Sequence, residues 1–205
     1  MNYTHQGRPT DDTDSKRQHI LDAAYKIFSL KGYNRATVDE IISLADTGKG
    51  TVYNYFGNKE QLFWSVIQER IQPFVTALEQ IASTDQPVPD KIYAMVRTAL
   101  SFYLENGDLW RGLIHEVWRI SSEDVLKQAI REKYLNNLRR INGLIEQVLC
   151  EGVAQGVLRD YELKKAAYGL LSIIVTFVYQ DLVGDDIDAT ATKITNVFLY
   201  GIAAS

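Results

Sequence analysis

Along most of this chain apolar residues recur at intervals of three and four, the spacing that places them on one face of an α-helix. Ile20, Ala23, Ala24, Ile27 and Phe28 make the first such stripe and predict a helix over about Asp14 to Lys31, stopped by Gly32. The twelve residues before it are polar, with Gly7, Pro9 and paired Asp, and read as a flexible arm. Thr37 with Glu40 three residues on is a capping-box signature at the start of a second, short helix whose inner side is Ile41, Ile42, Leu44 and Ala45. Asp46-Thr47-Gly48 breaks it, and Val52, Tyr55 and Phe56 are the inward positions of a third helix about two turns long. Two short helices about a tight turn form a helix-turn-helix, whose second helix can enter the DNA major groove.

The rest of the chain continues in helical periods. Asn58 suits the N-cap of a fourth helix, with Gln61 at the reciprocal position. Its stripe of Leu62, Phe63, Val66 and Ile67 resumes beyond Pro73 with Phe74, Ala77, Leu78 and Ile81, which predicts one long helix kinked at the proline. Ser83 to Pro89 is the clearest linker. A fifth helix follows to about Glu105, and Asn106-Gly107 is expected to break it before a short sixth helix carrying Trp110, Leu113, Ile114, Val117 and Trp118. Ser121 and Ser122 offer caps for a seventh, long helix with Tyr134, Leu138, Ile141, Ile145 and Val148 along its seam, followed by Gly152 and Gly156. Ala166 to Tyr179 is apolar almost all round, too short for a membrane span and without a partner strand, so it reads as a buried eighth helix. A ninth runs from about Asp186 to Gly201. The expected fold is all-α, with about nine helices.

The residues from Thr37 onward also carry a resemblance. Gly50-Thr51-Val52-Tyr53-Asn54-Tyr55-Phe56, then Lys59-Glu60 and Leu62, resemble the DNA-binding segment of the TetR family of transcriptional regulators. Ile20, Ala23-Ala24, Phe28, Gly32-Tyr33 and Thr37-Val38 match that family's first helix and the entry to its second. Ile42 stands where a small residue is common, Asp46 where the turn usually has Gly, and Gly48 where Ser or Thr often caps the recognition helix. The resemblance implies a helix-turn-helix domain over 13–57 behind the arm of 1–12, and an effector-binding and dimerisation domain over 58–205.

Charge gives DNA binding no help from composition alone. The chain carries a formal net charge of −4, and its first 63 residues hold eight Lys/Arg and eight Asp/Glu. A basic domain is the usual electrostatic footprint of a DNA-binding protein. The distribution is more favourable, because from Thr47 to Lys59 there are two lysines and no acid. Three scattered histidines, His5, His19 and His115, and the single Cys150 supply neither a metal set nor an activated nucleophile. No enzyme activity and no cofactor are expected. One cysteine excludes an intrachain disulfide, and with a polar N-terminus it points to a cytoplasmic protein with no membrane partner.

In the DNA reading Lys49 and Thr51 reach phosphates or bases, Gly50 permits close backbone approach, and Tyr53 and Asn54 project from the solvent face. By resemblance Thr37, Tyr55 and Lys59 anchor the sugar-phosphate backbone. The nearly all-apolar eighth helix followed by an amphipathic ninth exceeds what a small monomer needs, and the family forms homodimers through its last helices. A dimer favours a palindromic double-stranded operator. The resemblance further implies a pocket lined by Phe102, Tyr103, Trp110, Ile114, Trp118, Tyr134, Leu138, Ile141 and Phe177, for an apolar or aromatic small-molecule effector; each of these also fits plain core. His115-Glu116 is the polar pair of that region. The expected function is a homodimeric repressor released from DNA by its effector. The alternative is a helical interaction protein on the same scaffold with lost or weak DNA binding.

Overall fold

The computed structural model describes residues 10–118 and 125–201, and the side chains of these except 10–12, 114–118, 125–127, 129 and 130. Among them every regular element is an α-helix, eight in all: α1 (Thr10–Arg35), α2 (Val38–Leu44), α3 (Lys49–Phe56), α4 (Lys59–Ala82), α5 (Val88–Trp118), α6 (Val125–Ala154), α7 (Leu163–Tyr179) and α8 (Ile187–Tyr200). The expected caps at Ser121 and Ser122 lie outside the described residues, as do residues 1–9 of the expected arm. Residues 10–12 already belong to α1.

The count is eight because Asn106-Gly107 does not break α5. The Asn106 side chain is buried and donates to the Phe102 carbonyl one turn back at 3.0 Å, satisfying itself inside the helix. A mid-helix glycine costs roughly 1 kcal/mol against alanine. The apolar face running from Ile92 through Leu100 to Leu113 outweighs that cost. Gly32 does interrupt its helix: its φ of 73° and ψ of 167° lie outside the helical region, and only Tyr33 to Arg35 continue as a separate turn. Pro73 sits within α4, whose buried residues Leu62, Phe63, Val66, Ile67, Ile71, Phe74, Val75 and Leu78 run past it on both sides.

One end of the molecule is made by α1 to α3 packed on the first turns of α4. Phe28 and Phe63 meet edge to face at 4.9 Å, and Tyr33 lies 4.9 Å from Phe63, which joins α1 to α4 through an aromatic triad. Helix α5 is the axis of the fold, in contact with α1, α4, α6, α7 and α8. At its far end the buried Lys91 ammonium meets the Glu151 carboxylate of α6 at 2.7 Å and the last carbonyl of α4, at Ala82, at 3.3 Å. That one cation closes three helices together. Cys150 lies on the exposed face of α6. Among the described residues no helix is long and apolar enough to cross a membrane.

Candidate nucleic-acid interface

The entry to α2 is built by reciprocal capping. The Glu40 amide donates to the Thr37 hydroxyl at 3.2 Å, and the Thr37 amide donates to the Glu40 carboxylate at 3.0 Å. The ammonium of Lys31 also bonds that carboxylate and, with the Thr37 amide, holds its pKa below the ordinary value. Thr37 is exposed, at the positive end of a helix.

The turn between the two short helices depends on Asp46, which takes φ 46° where a left-handed residue is required. Asp reaches that region more easily than most residues with a side chain. Gly48 is the N-cap of α3 and, lacking a side chain, makes no capping bond; its carbonyl accepts from the Thr51 amide at 3.0 Å. Val52 and Phe56 are buried and hold α3 to the head, and Gly57 ends the helix at φ 72°.

These inward anchors leave Lys49, Gly50, Tyr53 and Asn54 exposed on the other face of α3, with Thr51 half-buried beside them. Tyr53 is a large apolar side chain at 40% exposure, which leaves its ring and hydroxyl available to a partner. Lys49 does not stand alone: its ammonium bonds the Asp39 carboxylate of α2 at 3.1 Å, and that pairing raises its pKa. At Gly50 an added Cβ would have nothing of the protein within 4 Å. No internal contact therefore requires a glycine there, although glycine weakens the helix.

Tyr55 and Lys59 are more engaged than their neighbours. The Tyr55 hydroxyl donates to the Thr13 carbonyl of α1 at 3.2 Å, and its oxygen can still accept from a second partner. Lys59 lies 4.6 Å from the Tyr33 ring centre and donates to the Asn34 carbonyl at 3.5 Å. All eight DNA-contact candidates thus belong to one end of the molecule, on α3 or at the N-termini of α2 and α4.

Of the pocket candidates, Phe102, Tyr103, Trp110 and Ile141 are buried, while Tyr134, Leu138 and Phe177 are half-buried between α5, α6 and α7. The side chains of Ile114 and Trp118, and the His115-Glu116 pair, lie outside the described residues. Phe74, on the expected apolar stripe of α4 but not among the pocket candidates, joins this cluster: it stacks on Phe102 at 4.3 Å, and Phe102 meets Trp110 edge-on at 4.9 Å. The space enclosed by Phe74, Leu78, Met95, Ile141 and Leu170 amounts to about 10 Å³. That is room for at most one water, so these side chains pack as core in this conformation. Burial drives the Tyr103 hydroxyl far above its usual titration range, with the nearby Tyr134 and Tyr179 hydroxyls adding to the effect.

Comparison with known proteins matches residues 20–66 to the model for bacterial regulatory proteins of the tetR family, and 85–179 to that for a tetracyclin repressor-like C-terminal domain. The chain is 25% identical over 191 residues to the fatty acid metabolism regulator protein of Bacillus subtilis (strain 168), covering 91% of this chain and 95% of that one. Among solved structures, the TetR family transcriptional regulator PfmR from Thermus thermophilus superposes with a TM-score of 0.75 at 20% identity, covering 90% of this chain and 99% of that one. FadR from Bacillus subtilis in complex with stearoyl-CoA superposes at 0.71 and 20% identity, over 91% and 99% of the two chains. At these identities the two superpositions establish a shared fold.

Proposed function

The chain belongs to the TetR family of DNA-binding transcriptional regulators, and from that premise we propose that it is a homodimeric repressor, released from a palindromic operator by an apolar small molecule. The observation that carries the DNA reading is the outer face of α3. Lys49, Gly50, Tyr53 and Asn54 are exposed together there with no acid on the same helix. In this reading 13–57 reads the operator, while 58–205 binds the effector and pairs the protomers.

The dimer reading is supported by the outer faces of the last two helices. Val197 and Tyr200 of α8 are 48% and 71% exposed, and Ile173 and Val175 of α7 are half-buried. Covering such surfaces with a second copy would place two recognition helices at a fixed spacing. The effector reading is supported by the aromatic cluster about Phe102 and by the acyl ligand of FadR. A fatty acyl compound is therefore the first effector to test. Because α4 starts beside α3 and carries Phe74 into the aromatic cluster, an effector that prefers a different tilt of α4 would change the spacing of the two heads. It shifts DNA binding only by its differential affinity for the two arrangements.

Selection of bound sequences from a random DNA pool tests this reading. The expected result is a palindrome whose binding is lost on Lys49→Ala or Tyr53→Ala and falls steeply with salt. The Lys49–Asp39 ion pair, which offsets the one cation on α3, favours a second reading as a helical interaction protein. Failure to retain any DNA at low salt would select that reading.

A further inference from the structure

Two buried polar atoms on adjacent helices have no hydrogen-bond partner among the described residues: the Tyr179 hydroxyl at the end of α7 and the Asn137 amide nitrogen on α6. Elsewhere the Asn142 amide nitrogen on α6 is bonded to the Leu138 carbonyl at 2.8 Å while its amide oxygen is unpartnered, an acceptor rather than a donor, and the unpartnered hydroxyls of Ser29 and Thr195 lie apart on α1 and α8. Burying a donor without a partner is unfavourable, whereas an apolar side chain of the same shape carries no such cost. Asn137 is one turn from Tyr134, on the side of α6 that also carries Leu138 and Ile141.

The surroundings favour a ligand oxygen. The Arg111 guanidinium lies 5.4 Å from the Tyr179 ring centre and is 64% exposed, and its ion pair with Asp108 is a loose one at 3.9 Å. Burial and the neighbouring Tyr134 push the Tyr179 hydroxyl up to about 12, so at neutral pH it remains a donor. The cluster also adjoins the DNA-binding end. Gly112, next to Arg111, approaches Gly32 of α1 so closely that a Cβ on it would sit 3.8 Å from the Gly32 Cα. Lys133, next to Tyr134, lies 5.2 Å from the Trp64 ring of α4.

We propose that Tyr179 and Asn137 form a polar subsite that hydrogen-bonds the head oxygen of an amphipathic effector, with Arg111 at its mouth selecting a carboxylate and the apolar tail lying toward Phe102 and Trp110. This deepens the ligand-released reading above and rests on it. The effector class is a fatty acid or acyl derivative, and its head is read at the end of the core that touches both α1 and α4.

The test uses the full-length protein and displacement of Nile red by octanoate, methyl octanoate and octane. Tyr179→Phe and Asn137→Leu are each expected to weaken octanoate and methyl octanoate tenfold or more, leaving octane unchanged, with no fall in Tm. Arg111→Gln is expected to weaken octanoate alone. If all three probes bind alike and Tyr179→Phe alters none of them, the subsite is overturned while the apolar-effector reading stands. A fall in Tm with unchanged head discrimination would likewise overturn it, marking Tyr179 as structural. If none of the probes displaces the dye, the apolar-effector reading fails and the subsite with it.

Discussion

The Tyr25 hydroxyl of α1 donates to the Glu105 carbonyl of α5 at 3.1 Å, tying the helix that supports the recognition unit to the axis of the larger part of the molecule. The Arg70 guanidinium of α4 stacks on the same ring at 4.2 Å and pairs with Asp22 of α1 at 3.1 Å. Three helices therefore meet at one side chain, and α4 is not the sole mechanical link between the two ends. Tyr25→Phe keeps the ring and removes the bond. It is expected to lower stability by about 1 kcal/mol, as one net hydrogen bond is worth. It is also expected to shrink the effector-induced loss of DNA affinity severalfold, read by fluorescence anisotropy with and without effector.

Gly50→Ala separates folding from recognition. The added methyl meets nothing in the free protein, and alanine favours a helix over glycine by about 1 kcal/mol. Thermal unfolding should shift upward by a few degrees. Operator affinity should drop at least tenfold, because the methyl would stand between α3 and DNA. A variant that gained Tm and kept full affinity would remove Gly50 from the interface.

Asp39→Asn frees Lys49 from its ion pair. Operator affinity is expected to rise severalfold at low salt. Lys49→Ala should lower it and reduce the slope of log K against log salt by about 1, as loss of one phosphate contact does. A salt titration of the wild type and both variants checks the pair together.

Glu40 gives the recognition unit a defined acid limit. Its folded pKa is depressed by Lys31 and by Thr37, so its contribution is present above the unfolded pKa and is lost as pH falls through the lowered folded one. The stability difference between wild type and Glu40→Gln should be full at pH 7 and vanish in strong acid. Urea unfolding across that range measures it. A difference that grew toward low pH would contradict the assignment.

Much of this arrangement was legible in residue order. The capping box at Thr37, the stop at Gly32, the N-cap at Asn58 and the left-handed Asp46 are local devices, set by side chains within three or four positions of the backbone they serve. The exposed set on α3 followed from the same periodicity, since burying Val52 and Phe56 turns Tyr53 and Asn54 outward. The continuity of α5 through Asn106-Gly107 was not legible: a local breaker pair was outweighed by an apolar face packed on five other helices.

The sequence by itself determined an all-helical chain with a helix-turn-helix near its start, because helical period, caps and turn residues act over a few positions. Only the tertiary structure decided which groups meet across helices. Tyr25 with Glu105, Lys49 with Asp39 and Phe74 with Phe102 are separated by ten to eighty positions along the chain. Such contacts exist only once the helices that carry them cross at particular places, and side-chain packing rather than local preference selects those crossings.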